Sequence, residues 1–158
     1  MSNTPNDRRY NVPECIKDKC EQKSYVRWLH RKAAAHVKRD RKRFGIHSCT
    51  VANYKAAIHR AVTEGGNRDF YTAEVLDWTL ISTYRNAASN EGKSKYKKSL
   101  ALLPTVDHTL NEHGKPKFVI CSWSMNDMKN DMTDVELYEL CERVLSYRAN
   151  GLEGQIKK

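Results

Sequence analysis

Four polar residues in the second half of the chain have types and spacing that can support chemistry. Asp107 and His108 are adjacent and follow an apolar run, whereas Asn126 and Lys129 are three residues apart and share one side of a helix. A carboxylate and an amide oxygen suit Mg²⁺ or Mn²⁺. A histidine can take a proton from water near neutral pH, and a lysine can meet a phosphate. A metal ion beside a general base is one arrangement that cleaves phosphodiesters.

Two strands and a turn-prone loop are predicted to position the first of these residues. The apolar run at 100–106 predicts a strand that ends at Asp107 and His108, and the run at 118–121 predicts the returning strand. Adjacent side chains point to opposite faces within a strand. At a strand end the backbone can turn, so we expect Asp107 and His108 to serve one site in different roles.

Two helices are predicted after the second strand. Ser122 or Ser124 is expected to cap a helix that begins near Asn126. A capping box at Thr133–Glu136 then starts an amphipathic helix, which we expect to close the core behind the site and to end at Asn150-Gly151. The apolar side of this helix consists of Leu137, Leu140, Cys141, Val144 and Leu145.

These segments resemble the HNH endonucleases, whose core is the ββα-metal motif. The resemblance rests on Val106-Asp107-His108, on the apolar second strand and on Asn126-Asp127-Met128-Lys129, which looks like the family's Asn-x-x-Lys. Residues 69–77 resemble the segment that leads into this fold, so the likeness covers about 69–148. It implies an α+β fold in which the ββα-metal core packs against N-terminal helices and a C-terminal amphipathic helix.

The resemblance also implies roles for individual residues. Asp107 and Asn126 would bind a divalent metal ion, Mg²⁺ in the first place, with Mn²⁺ or Ni²⁺ as alternatives. His108 would activate the attacking water, and Lys129 would support a phosphate. The products would carry 3′-hydroxyl and 5′-phosphate ends.

The chain departs from the family at two places. Many members bind a structural zinc ion through two Cys-x-x-Cys pairs, but the matching positions here are Asp69, Thr72, Ser122 and Met125, so no structural zinc is expected. The second residue of the family motif has no clean match.

Two residues compete for that second motif position. Asn111 is one candidate, and Lys117 occupies the commoner position. Two other classes of function therefore stay open. One is an inactive HNH-like module that binds nucleic acid, and the other is a protein-interaction module.

The positive charge is concentrated near the N-terminus. The net charge is +9; residues 1–43 hold thirteen Lys/Arg and five Asp/Glu, 13 − 5 = +8, which leaves +1 for the remainder. An apolar stripe predicts a helix from about Cys15 or Glu21 to Phe44. Its basic side is either a solvated face or a surface for nucleic-acid phosphates. The predicted phosphate contacts are Arg31, Lys38, Arg39, Arg41, Lys42 and Arg43.

Length and composition predict one compact domain with three parts. These are a basic helical region at 1–66, which includes a second helix from about Thr50 to Glu64, a nuclease-like core with its closing helix at 67–150, and a tail at 151–158. No apolar run approaches the ~20 residues of a membrane span. Five irregularly spaced cysteines indicate a reducing, cytoplasmic setting. The expected partner is DNA, with RNA as an alternative, and double-strand cleavage would call for a homodimer.

Overall fold

A computed structural model describes residues 9–45, 49–83, 98–110 and 116–153. The fold is mixed α+β and mostly helical, with one two-stranded antiparallel hairpin among the described residues. The α+β class expected from the sequence is therefore confirmed. The chain divides into two compact units, Met1–Asn126 and Asp127–Lys158. The predicted boundaries at 66/67 and 150/151 stay predictions.

The two predicted N-terminal helices are both present. Helix α1 spans Gln22–Phe44 and stops at Gly45, whose φ of 64° lies in the left-handed region that glycine tolerates. Helix α2 spans Val51–Gly65, and the Thr50 hydroxyl caps it by accepting the Asn53 N–H at 3.2 Å. Two short 3₁₀ helices, Glu14–Ile16 and Trp78–Ser82, lie before α1 and after α2.

The hairpin joins strand β1, Pro104–Leu110, to strand β2, Pro116–Ser122. Asp107 pairs with Val119 and His108 with Phe118. The predicted strand at 100–106 is wrong in its bounds, because β1 starts four residues later and carries Asp107 and His108 in its middle.

Hydrogen bonding explains why residues 100–103 form a turn. The Leu103 N–H donates to the Leu100 carbonyl at 3.0 Å, which closes the turn. The carbonyls of Leu103 and Ala101 then accept the N–H groups of Trp123 and Ser124 at 2.8 and 3.1 Å. The first N–H groups of a helix have no hydrogen-bond partner inside the helix. The carbonyls of this turn therefore accept the hydrogen bonds of the first N–H groups of the next helix.

That next helix, α3, spans Trp123–Lys129 and follows β2 directly. The Ser122 hydroxyl accepts the Met125 N–H at 3.1 Å, so Ser122, one of the two predicted caps, is the cap. The helix begins three residues earlier than predicted, which places Asn126 in its first turn.

The core of the first unit lies between α1, α2 and the hairpin. Trp28 and Trp78 meet edge to face, with ring centroids 5.1 Å apart, and Tyr25 stacks on Trp28. Aliphatic side chains of all three layers complete the core: Leu29, Ile58, Val62, Leu76, Val106 and Ile120. This packing fixes α1 against β1.

The second unit contains helix α4, Asp134–Glu153. The predicted capping box is confirmed, because Thr133 Oγ1 accepts the Glu136 N–H at 3.2 Å and the Glu136 carboxylate accepts the Thr133 N–H at 2.7 Å. The helix runs past Gly151, so the predicted end is wrong. Of its predicted apolar side only Leu137 is buried, and the later members are exposed. No helix in the described ranges is long and apolar enough to span a bilayer.

Candidate functional site

A row of four α1 side chains follows strand β1. The members, each four residues after the last, are Trp28, Lys32, His36 and Asp40. Residues at this spacing lie on one helix face. Trp28 Nε1 donates to the Pro104 carbonyl at 3.2 Å, and Lys32 Nζ donates to Thr105 Oγ1 at 2.6 Å. Burial lowers the pKa of Lys32 to about 8.

The last member of the row, Asp40, meets His108. Asp40 Oδ1 lies 3.3 Å from His108 Nδ1, and both side chains are buried, with His108 only 5% exposed. The Tyr54 hydroxyl donates to the other Asp40 oxygen, Oδ2. Burial and this hydrogen bond raise the pKa of Tyr54, which therefore stays protonated and keeps donating.

The two ring nitrogens of His108 have different surroundings. Nδ1 lies 3.3 Å from Asp40 Oδ1, an oxygen that has no hydrogen-bond partner among the described residues, so it is the nearby carboxylate charge that favours the proton on Nδ1 and the lone pair on Nε2. Nε2 is buried and has no hydrogen-bond partner among the described residues. Burial lowers the pKa of His108, although Asp40 acts to raise it. The imidazole is therefore neutral near pH 7, and its unprotonated Nε2 is buried.

His36 lies beside His108, with ring centroids 5.5 Å apart. Arg39 donates to His36 Nδ1, and a hydrogen bond joins the imidazole to the backbone of Val106. Burial, followed by the Arg39 guanidinium, lowers the pKa of His36 to about 2. His36 is thus a neutral structural histidine that packs against the face of β1 on which His108 lies.

Asp107 lies on the opposite face of β1 from His108, because strand neighbours alternate. Its Oδ2 accepts the Tyr71 hydroxyl at 2.5 Å, and its Oδ1 accepts the His108 N–H at 2.8 Å. Tyr71 is a partner that the sequence did not predict, although it lies within the segment that resembles the family.

Asp69 builds the turn that presents Tyr71. Its Oδ1 accepts the N–H groups of Tyr71 and Thr72 at 2.7 and 3.1 Å, and its Oδ2 accepts the Ser122 N–H at 2.6 Å. Ser122 in turn caps Met125. Carboxylate and hydroxyl hydrogen bonds therefore link Asp69, Thr72, Ser122 and Met125, and Asp69 is buried among them.

The remaining predicted site residues lie on or beside α3 and β2. Asn126 is half-buried on α3. Lys129 is buried, and its ammonium group is 3.4 Å from the Asp134 carboxylate. Lys117 is exposed on β2 opposite Thr109, and Asn111 lies outside the described residues.

All six predicted phosphate-binding residues of α1 are exposed. Arg31, Lys38 and Lys42 recur at seven and four residues, so they share a face directed away from the buried row. Arg39 and Arg43 lie nearer the hairpin, where their charges act to lower the pKa of His108. Arg41 donates to the Cys49 carbonyl at 3.4 Å. The helix therefore carries cations on its outer face and beside His108.

In the part of the chain that the structure describes, no three His, Cys, Asp or Glu side chains group in a way that could hold a metal ion. The metal donors predicted from the sequence, Asp107 and Asn126, are only two residues, and an asparagine is not one of these four residue types. Comparisons with protein-family models, with curated proteins and with solved structures each find no match to this chain.

Proposed function

We propose that this chain is a metal-dependent endonuclease of the HNH type that hydrolyses phosphodiester bonds in DNA. The observation that supports this most is the environment of His108. Asp40 Oδ1 lies 3.3 Å from Nδ1, Nε2 is without a hydrogen-bond partner among the described residues, and the preceding residue of the strand, Asp107, is a second carboxylate. A base oriented by a third group is the recurring arrangement by which enzymes activate a nucleophile.

In this proposal His108 is the general base. Its Nε2 takes a proton from water, and the hydroxide attacks phosphorus. The imidazolium that forms is stabilised by Asp40, whose negative charge is 3.3 Å away in a buried setting. Asp40 is in turn held by Tyr54. General base catalysis of this kind contributes about 10²- to 10⁴-fold to rate.

The chemistry of the two predicted donors, Asp107 on β1 and Asn126 on α3, fits Mg²⁺. Asp107 offers a carboxylate and Asn126 a neutral amide oxygen, and Mg²⁺ needs few protein ligands because it keeps several waters. Tyr71 donates to Asp107 Oδ2, and the His108 N–H donates to Asp107 Oδ1. A bound ion would stabilise charge on the phosphate and on the leaving oxygen. Tyr71 orients the carboxylate for that purpose.

The proposal requires His108 to become accessible. Its ring is enclosed by the rings of His36, Tyr54 and Phe118. Asp107 and His108 lie in the middle of β1 and on its opposite faces, so the turned strand end expected from the sequence is absent, and one phosphodiester meets both side chains only if the hairpin rearranges. Substrate binding must therefore open the cover over Nε2.

The charge on α1 supports a nucleic-acid substrate. Lys38 and Lys42 are exposed on the outer face, and Arg39 and Arg43 lie where their charges reach His108. Cations on the outer face of α1 and beside the candidate base would attract backbone phosphates. DNA rather than RNA follows from the family resemblance.

A supercoiled-plasmid assay tests the proposal. Wild-type protein is incubated with EDTA, Mg²⁺, Mn²⁺ or Ni²⁺, beside Asp107→Asn, His108→Ala and the exposed control His30→Ala. Nicking that requires a metal ion and is abolished in the first two variants but not in the control supports the proposal. Absence of nicking by the wild type with every metal ion contradicts it.

A second candidate function is a nucleic-acid-binding module without catalytic activity. The observation that favours it is the burial of the His108 side chain, which is typical of a structural histidine. In that case the network of Asp40, Tyr54 and His108 only fixes α1 to the hairpin, and the exposed cations carry the function. Retained DNA binding without cleavage in any divalent metal would select this alternative.

A further inference from the structure

Arg39 is an exposed cation whose guanidinium is oriented by a buried side chain. One of its terminal nitrogens, Nη2, donates a hydrogen bond to His36 Nδ1. His36 is 3% exposed and lies three residues earlier on the same side of α1. A flexible surface arginine loses conformational entropy when it binds a ligand, and an arginine that is already oriented in the free protein loses less.

His36 can accept this hydrogen bond because its ring stays neutral. Burial and the Arg39 guanidinium lower the pKa of His36 to about 2, so Nδ1 keeps its lone pair at physiological pH. The proton of the neutral ring is then on Nε2, which is the donor in the hydrogen bond to the backbone of Val106. Val106 is a buried residue of β1, two positions before His108. The hairpin therefore fixes His36, and His36 fixes Arg39.

The charge of Arg39 has no counter-charge in an ion pair. No carboxylate of the described residues forms a salt bridge with Arg39. Asp40, the only acidic residue of α1, contacts His108 and Tyr54. Burial is the main reason why the pKa values of His36 and His108 are low, and the Arg39 charge adds to the effect at both. An anion is therefore favoured on this side of α1.

The shape of the guanidinium indicates which anion fits. Its N–H groups form a planar fork that matches two oxygens of a phosphate. Both contacts with the His36 ring are made by Nη2, which leaves Nε and Nη1 for such a pair. The rings of His36 and His108 have centroids 5.5 Å apart, so a phosphate on Arg39 would lie about one ring away from the candidate base.

We propose that Arg39, oriented by His36, binds a backbone phosphate of DNA through a bidentate contact on the His108 side of α1. Lys38 and Lys42 then contact phosphates only as point charges, and Arg39 sets the position of the strand relative to His108. The inference rests on the proposed function for the identity of the ligand. His36 is a positioning residue, because it acts on DNA through Arg39.

Fluorescence anisotropy of a labelled duplex in EDTA tests the phosphate site, and its result does not depend on whether the chain cleaves DNA. Arg39→Lys is compared with Arg27→Lys, the same exchange at another exposed position of α1. Both variants preserve charge. Arg39→Lys should weaken binding about tenfold, because lysine cannot form the bidentate pair, and Arg27→Lys should leave it unchanged. An affinity of Arg39→Lys equal to that of the wild type would overturn the proposal.

A double-mutant cycle tests the positioning role of His36. His36→Leu removes the acceptor, so Arg39→Lys should cause little further loss in that background. His36→Gln offers an amide oxygen to the guanidinium and should restore most of the effect of Arg39→Lys. The full effect of Arg39→Lys in the His36→Leu background would overturn the positioning role. Melting temperatures identify folded variants, and the comparison of Arg39→Lys with Arg27→Lys stands without the leucine variant.

Discussion

Asp40 Oδ1 lies 3.3 Å from His108 Nδ1, and this pair links the last turns of α1 to the middle of β1. The basic helix therefore has two distinct sides. One side carries the buried row that ends at Asp40, and the other carries exposed cations such as Lys38 and Lys42. The helix that is proposed to bind DNA is thus also the element that orients the candidate base.

Asp40→Asn should reduce the rate of nicking by about 10- to 100-fold, comparable to the cost of losing an orienting partner at metal sites. The amide carries no charge to stabilise an imidazolium. A positioning role predicts a fall in kcat with KM and DNA affinity unchanged, whereas a merely structural role would lower the melting temperature and both kinetic constants together. Asp18→Asn, an exposed carboxylate outside the network, is the control and should be without effect.

Tyr71→Phe should weaken metal binding while the fold is retained. The change removes the hydroxyl that donates to Asp107 Oδ2 but keeps the ring. Removal of such an outer partner typically costs about 10- to 100-fold in metal affinity. Titration with Mn²⁺, followed by calorimetry, measures the effect against Tyr138→Phe, whose ring is exposed. Equal affinities for both variants and the wild type would show that Tyr71 does not orient a metal ligand.

His36 should make the protein less stable in acid. Its pKa is about 2 in the folded chain, below the ordinary value of 6.5, so the unfolded chain binds a proton that the folded chain does not. The free energy of unfolding should therefore fall as pH drops below about 6.5, by up to about 1.4 kcal/mol per pH unit from this group.

Urea unfolding between pH 7 and pH 5 measures this dependence. His36→Gln should show a shallower decline with pH than the wild type, with the residual slope coming in part from His108, whose pKa burial also lowers. His30→Gln, at an exposed position on the same helix, should retain the wild-type slope. Parallel curves for wild type and His36→Gln would contradict the account of a buried neutral His36.

Replacing Lys38 and Lys42 with alanine should weaken DNA binding and its dependence on salt. If each lysine binds a phosphate of duplex DNA, the slope of log K against log salt should decrease by roughly 0.9 for each lysine removed. Fluorescence anisotropy with a labelled duplex at several salt concentrations gives the slope. The control variant, Lys17→Ala with Lys19→Ala, removes the same amount of charge at positions before α1. It should keep the salt slope of the wild type. An unchanged slope in the α1 variant would mean that this face is only solvated.

The sequence allowed the helices to be predicted more closely than the strands, for a physical reason. Caps and periodicity are local signals, so the start of α2 near Thr50 and the Thr133–Glu136 box were predicted correctly. The bounds of β1 were wrong because the apolar run at 100–103 is buried in a turn whose carbonyls bind the start of α3. Hydrogen bonds between backbone groups that are distant in sequence produce no periodic pattern of apolar residues.

In the candidate site, too, local features were predicted from the sequence and contacts between distant residues were not. Asp107 and His108 stood out by type and adjacency, but their partners Asp40 and Tyr71 are distant in sequence. Within the basic helix, Asp40 looked like one more surface charge. Trp28, Lys32, His36 and Asp40 follow one another at intervals of four residues. This spacing was the one sequence signal that could have assigned Asp40 to the buried row.

The most direct test of the central claim is nicking of supercoiled plasmid by His108→Gly, in the presence of Mg²⁺ and with or without added imidazole. If His108 is the base, the rate should fall by about 10²- to 10⁴-fold without imidazole and recover partly with it, because imidazole can occupy the cavity beside Asp40 and act as the base. Circular dichroism confirms that the variant is folded. Nicking by His108→Gly at the wild-type rate would contradict the account and place the catalytic base elsewhere.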